Sequence, residues 1–211
     1  MVRYAAGILM VLALASCDRR KVSSQAPAAP SRPPVIDSIT VEKHADGLFY
    51  QQGAETPFTG LDVEPDRQKP PQAGKPPCVV STSYQAGKRH GPTRYYFSNG
   101  ALQEERIYEN GAARSTTKYY PKSQGGGKKM EAALNERELI EGRSVRYSPE
   151  GKIEIEAHTD ADEKTHGESK EYGADGSLAW HYRWEHGKLV EIVFETPQQK
   201  TLRESKGAGA P

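Results

Sequence analysis

The chain has 211 residues and a formal net charge of +1, with 35% hydrophobic and 27% charged residues. Its mean hydropathy is −0.79, which points to a soluble chain with a thin core, and the near-zero charge argues against a nucleic-acid partner, since phosphate binding needs a basic excess. The 11 Tyr against 4 Phe point to half-buried surfaces, because Tyr pairs an apolar ring with a polar tip.

The chain opens on one positive charge, Arg3, and a short apolar run from Ala5 to Leu14, followed by Ala15, Ser16 and Cys17. A basic start, an apolar middle and small residues form the layout of a secretory signal peptide. The run is too short for a transmembrane span of about 20 residues. Leu14-Ala15-Ser16-Cys17 resembles the lipobox of bacterial lipoproteins. The resemblance implies that residues 1–16 are a removed leader and that Leu14, Ala15 and Ser16 are recognition residues. It also implies diacylglycerol and an N-acyl chain on Cys17, and two or more chains anchor stably in a bilayer. Asp18 resembles the signal that holds lipoproteins of enteric-type bacteria in the inner membrane. Localisation is thus expected in the cell envelope, lipid-anchored, with a tilt to the inner membrane. Loss of the leader removes Arg3 and leaves 28 basic against 28 acidic side chains. With Cys17 lipidated, Cys78 has no intrachain partner and reads as a small hydrophobe at the start of a strand.

Residues 17–36 form a Pro/Ala/Ser-rich tether that holds no core. Residues 37–197 are the expected folded domain, with a Pro-rich loop from Pro65 to Pro77 inside it. Residues 198–211, ending Gly207-Ala208-Gly209-Ala210-Pro211, read as a flexible tail.

Within the domain the chain repeats itself. Gly-x4-Tyr-x3-Gly-x-[Leu/Ile] occurs at Gly91/Tyr96/Gly100/Leu102, Gly142/Tyr147/Gly151/Ile153 and Gly167/Tyr172/Gly176/Leu178. Tyr108, Thr159 and Trp184 then follow at one fixed step. A degraded copy surrounds Tyr120, and a partial one opens at Tyr50, Gly53 and Gly60. Asn99-Gly100, Asp175-Gly176 and Asn110-Gly111 are hairpin turn signals. Alternation follows the turns. Ile153, Ile155 and Ala157 interleave with Glu154, Glu156 and His158, and Leu178, Trp180, Tyr182 and Trp184 interleave with Ala179, His181 and Arg183. That pattern predicts strands with one apolar face. The expected fold is all-β, an elongated antiparallel meander of about five hairpin repeats. Met130 to Glu141 has helical propensity where the repeat needs a strand, so a short helix is expected near 130–140.

The array, from Lys88-Arg89-His90-Gly91 through Tyr96 to Asn99-Gly100-Ala101-Leu102 and its copies, resembles the MORN-variant repeat proteins often labelled YwqK-family antitoxins. The likeness covers residues 48–194 and implies a twisted, often single-layered antiparallel sheet.

No catalytic constellation or cofactor is assigned: no Ser or Cys stands beside a base in a recognisable motif. His90 and His166 each precede a repeat glycine. His158 and His166 flank a stretch with Asp160, Asp162 and Glu163 that reads as a solvated loop, so no metal ligands are named. His181 and His186 are placed on the polar side of their strand. Tyr96, Tyr147, Tyr172, Trp180, Tyr182 and Trp184 form the candidate interaction face, with sheet core as the competing assignment. The sequence therefore favours a non-catalytic protein-interaction module with a protein partner and a lipid bilayer at its anchor. The family label offers a toxin neutraliser of antitoxin or immunity type, and a cell-wall or lipid hydrolase is the remaining alternative.

Overall fold

A computed structural model describes residues 39–66 and 78–206. The leader, the lipobox residues Leu14, Ala15, Ser16 and Cys17, Asp18, the tether and most of the Pro-rich loop lie outside the described residues. Among those described, no helix is long and apolar enough to cross a membrane.

A short hairpin, β1 (Val41–Lys43) with β2 (Phe49–Gln51), precedes the main sheet. The sheet starts with β3 (Gly60–Pro65), β4 (Val79–Gln85) and β5 (Lys88–Tyr96). It continues through β6 (Leu102–Glu109), β7 (Ala112–Tyr119) and β8 (Lys128–Leu134). β9 (Ile140–Tyr147), β10 (Ile153–Thr159) and β11 (Thr165–Tyr172) follow. The last strands are β12 (Leu178–Glu185) and β13 (Lys188–Glu195), after which comes a helix, α1 (Pro197–Ser205). The 11 strands pair strictly with their sequence neighbours, so the expected antiparallel meander is what forms.

The repeat pattern has a direct structural meaning. Tyr96, Tyr147 and Tyr172 end their strands and pair across the turn with Leu102, Ile153 and Leu178. Each turn is closed by the same two bonds. The N–H groups of Phe97, Ser148 and Gly173 donate to the carbonyls of Ala101, Lys152 and Ser177, and those of Gly100, Gly151 and Gly176 donate back to Phe97, Ser148 and Gly173. The first repeat glycine sits at a bulge inside the strand. Gly91, Gly142 and Gly167 have φ of 82°, 86° and 84°, the left-handed region that L side chains avoid. At each, the strand carries more residues than the neighbour before it, as between Thr82/Tyr84 and Thr93/Arg89.

The core is thin because one sheet supplies most of it. Val63, Val79, Tyr96 and Leu102 form its apolar cluster, with Tyr119 against them. On the other face, small side chains run across the strands, including the buried Thr82, Thr93, Thr116, Ala132 and Ser169. Long neighbours cover them: Arg89 lies 4.4 Å over the Tyr108 ring and Arg106 5.6 Å over the Tyr95 ring.

Two expectations are corrected. The segment expected to be helical near 130–140 is β8, a turn and the start of β9. Glu131 pairs with both Thr117 and Val145, and a strand caught between two partners gains ladder bonds that outweigh local propensity. The expected tail from 198 instead carries α1. Thr196 caps it by accepting the Gln199 N–H, and Pro197 fills its first position.

Candidate functional site

Face assignment decides whether the six aromatic side chains form one surface. Asp62, Thr82, Thr93, Arg106, Thr116, Ala132, Ser144, Ala157, Ser169 and Tyr182 oppose one another strand by strand and so share a face. Tyr96, Tyr147 and Tyr172 lie an odd number of residues from Thr93, Ser144 and Ser169, which puts them on the opposite face. Trp180 and Trp184 alternate with Tyr182 and stay with it. The six therefore do not form a single interaction face, and Tyr96 and Tyr182 are buried. The cause is a bulge just after each turn: Tyr172 pairs with Leu178 but Glu171 with Trp180, so Ala179 is the extra residue. One inserted residue exchanges the faces of everything beyond it. The same slip separates Ile153 from Ile155.

The tyrosine face is a row of structural pins. The Tyr147 hydroxyl donates to Glu131 Oε1 at 2.5 Å and that of Tyr172 to Glu156 Oε2 at 3.3 Å. Burial, then the Glu131 bond, pushes the Tyr147 phenol up to about 12.

The tryptophan face leads to the end of the sheet. Trp180 and Tyr182 stack at 4.5 Å, with Trp184 6.2 Å beyond Tyr182. The Trp180 indole donates to Glu171 Oε2 at 2.6 Å and the Tyr182 hydroxyl to Glu195 Oε2 at 2.7 Å. Arg203, reaching back from α1, donates to both Glu195 oxygens at 3.1 and 3.0 Å. This bidentate clamp, followed by the Tyr182 bond, holds the Glu195 carboxyl below its usual range.

β13 has β12 on one side and, among the described residues, no strand on the other. Its register slips twice: Val193 is extra between the pairs His181/Phe194 and Tyr182/Ile192, and Val190 between Arg183/Glu191 and Trp184/Leu189. Val190, Val193 and Phe194 are 38%, 45% and 43% exposed, and Leu202 on α1 is 45% exposed. Bulges on an edge strand interrupt its ladder and so discourage strand addition. What this edge offers a partner is side-chain apolar surface.

Two further places gather functional groups. An open groove of about 560 Å³ lies between the β9–β10 and β11–β12 turns, where Arg146, Lys152, Glu154 and Glu171 surround Ile153 and Tyr172. At the opposite end of the sheet, the β10–β11 and β12–β13 turns bring Asp160, His166 and His186 together, their donor atoms all within 4.8 Å. The sequence pattern alone puts Asp160 and His166 at a solvated loop and His186 on the polar side of its strand, and it names none of them as a ligand. The missing signal was the repeat offset: His166-Gly167 and His186-Gly187 stand as far apart as His90-Gly91 and Asn110-Gly111, the first of each pair at a strand bulge and the second in a turn. Cys78, a free thiol, is half-buried just ahead of β4.

A MORN repeat variant spans residues 89–110. It covers all of β5 but its first residue, the turn that follows, and β6. The MORN-variant hairpin shares its turn bonds and its bulged glycine with the hairpins at Gly142 and Gly167. No curated protein matches the chain.

Proposed function

We propose that this MORN-variant β-repeat protein is a lipid-anchored lipoprotein of the bacterial cell envelope, and that its domain is a non-catalytic module binding a protein partner. The observation that carries the partner is the β13 edge, where Val190, Val193 and Phe194 stand exposed on one strand with Leu202 nearby in sequence. Apolar side chains left exposed along a terminal strand cost solvation until something covers them. The lipobox at Leu14-Ala15-Ser16-Cys17 supports the anchor, and the Pro/Ala/Ser-rich tether would let the domain reach a partner above the membrane.

The test is cross-linking in living cells with the full chain, run beside Cys17→Ala. The reading expects one stoichiometric protein adduct with the anchored form, reduced in the unanchored control. A toxin as the adduct would select the neutraliser form of the reading. The absence of any reproducible adduct would contradict an interaction role.

A further inference from the structure

We propose that Asp160, His166 and His186 bind a divalent transition-metal ion of the zinc class. The three residues come from two neighbouring turns and the strand between them, and their donor atoms lie within 4.8 Å. Two imidazoles and a carboxylate are a donor set that suits zinc and its neighbours, with water completing the coordination. The carboxylate is held ready. Its Oδ1 accepts the backbone N–H groups of Asp162 and Lys164, both at 3.0 Å, which leaves Oδ2 facing His186 Nδ1 at 2.6 Å. The two imidazole rings are 4.8 Å apart, centre to centre. A tetrahedral ion about 2 Å from each donor would set the donors about 3.3 Å apart, wider than the 2.6 Å between Asp160 Oδ2 and His186 Nδ1 and inside the 4.8 Å that spans the set. His166 and His186 are exposed, so rotation of their side chains closes the difference.

The chain supplies its own comparison. Gly187 N donates to Thr165 O at 2.8 Å just as Gly111 N donates to Arg89 O at 2.8 Å, so His166 and His186 occupy the places of His90 and Asn110. The loop opened by Asp160 has a counterpart opened by Asn135, whose Oδ1 accepts the N–H groups of Arg137 and Leu139. The architecture thus folds with Asn at either place, and three metal donors at one corner are not needed to make the turns.

Those counterparts give variants that keep the fold: Asp160→Asn retains the loop acceptor, and His186→Asn retains a residue suited to its φ of 45°. The experiment titrates the full chain with Zn²⁺ by calorimetry and with Co²⁺ by visible absorption, with circular dichroism confirming each variant's fold. The expected result is one Zn²⁺ per chain and low-symmetry Co²⁺ bands. Asp160→Asn and His186→Asn should each weaken binding by roughly tenfold or more, while His90→Asn leaves it unchanged. No saturable uptake, or uptake undiminished in either Asp160→Asn or His186→Asn, would overturn the proposal.

Discussion

Replacing glycine by alanine at Gly91 and at Gly87 separates two costs that the fold assigns to different places. At Gly91 the added methyl would meet only Ser83 Cβ at 3.7 Å, an ordinary contact. The cost there is the left-handed backbone alone, about 1–2 kcal/mol. Gly142 and Gly167 meet Ala133 and His158 Cβ at 3.9 and 3.7 Å, so their alanine variants should fall in the same range. Gly87 has φ of 73° as well, but its methyl would meet Leu48 and Pro57 Cβ at 2.9 Å and Phe49 O at 3.1 Å. Those atoms belong to the opening segment, which docks through Phe49 N to Gly87 O and Gly87 N to Phe58 O, both at 2.8 Å. Crowding adds roughly 1–3 kcal/mol, or the opening hairpin lets go instead. Urea unfolding measures the first cost, and hydrogen exchange at the Phe49 amide measures the second. The prediction is a modest global loss with normal Phe49 protection for Gly91→Ala, and lost Phe49 protection for Gly87→Ala. Equal effects at both sites, or no effect at Gly91, would refute the assignment of these glycines.

Two other outcomes follow from the polar contacts. Glu195 is depressed by Arg203, so its contribution is full above the ordinary carboxylate value of 4.5 and is lost as pH falls through the lower folded value. Protection factors of the α1 amides, corrected for intrinsic exchange, should therefore be lower at pH 3 than at pH 6, and Glu195→Gln should abolish that difference; an unchanged pH dependence of protection in Glu195→Gln would count against the clamp. The buried Tyr108 hydroxyl accepts from Arg89 at 2.8 Å and donates to Glu138 at 3.1 Å, while Arg89 and Glu138 also meet directly at 3.5 Å. Because that ion pair survives, Tyr108→Phe should cost only about 1 kcal/mol in urea unfolding.

The hairpins were legible because turns and bulges require glycine at fixed steps, and the steps at Gly91, Gly142 and Gly167 recur unchanged. Strand pairing followed, since short turns permit only neighbouring antiparallel strands. Face assignment was not legible. Alternation alone put Leu178 with Trp180 and Ile153 with Ile155, and the bulges at Ala179 and Glu154 leave no mark in composition. β8 was misread because Met-Glu-Ala-Ala-Leu favours a helix in isolation and becomes a strand only between β7 and β9. α1 was missed although Thr196-Pro197 is a helix-start signal, because the glycines after Lys206 dominated the reading of that end. The Asp160, His166 and His186 corner was hidden for a different reason. Its residues are up to 26 apart in sequence and meet only when adjoining turns stack.

The most direct test of the account is position-resolved photo-cross-linking in living cells, with the reactive side chain placed in turn at Val190, Val193 and Phe194 on β13 and at Leu61 on the opposite edge of the sheet. The account predicts that one protein partner is captured from the β13 positions and that Leu61 yields none. Capture from Leu61 alone, or from no position on β13, would contradict it.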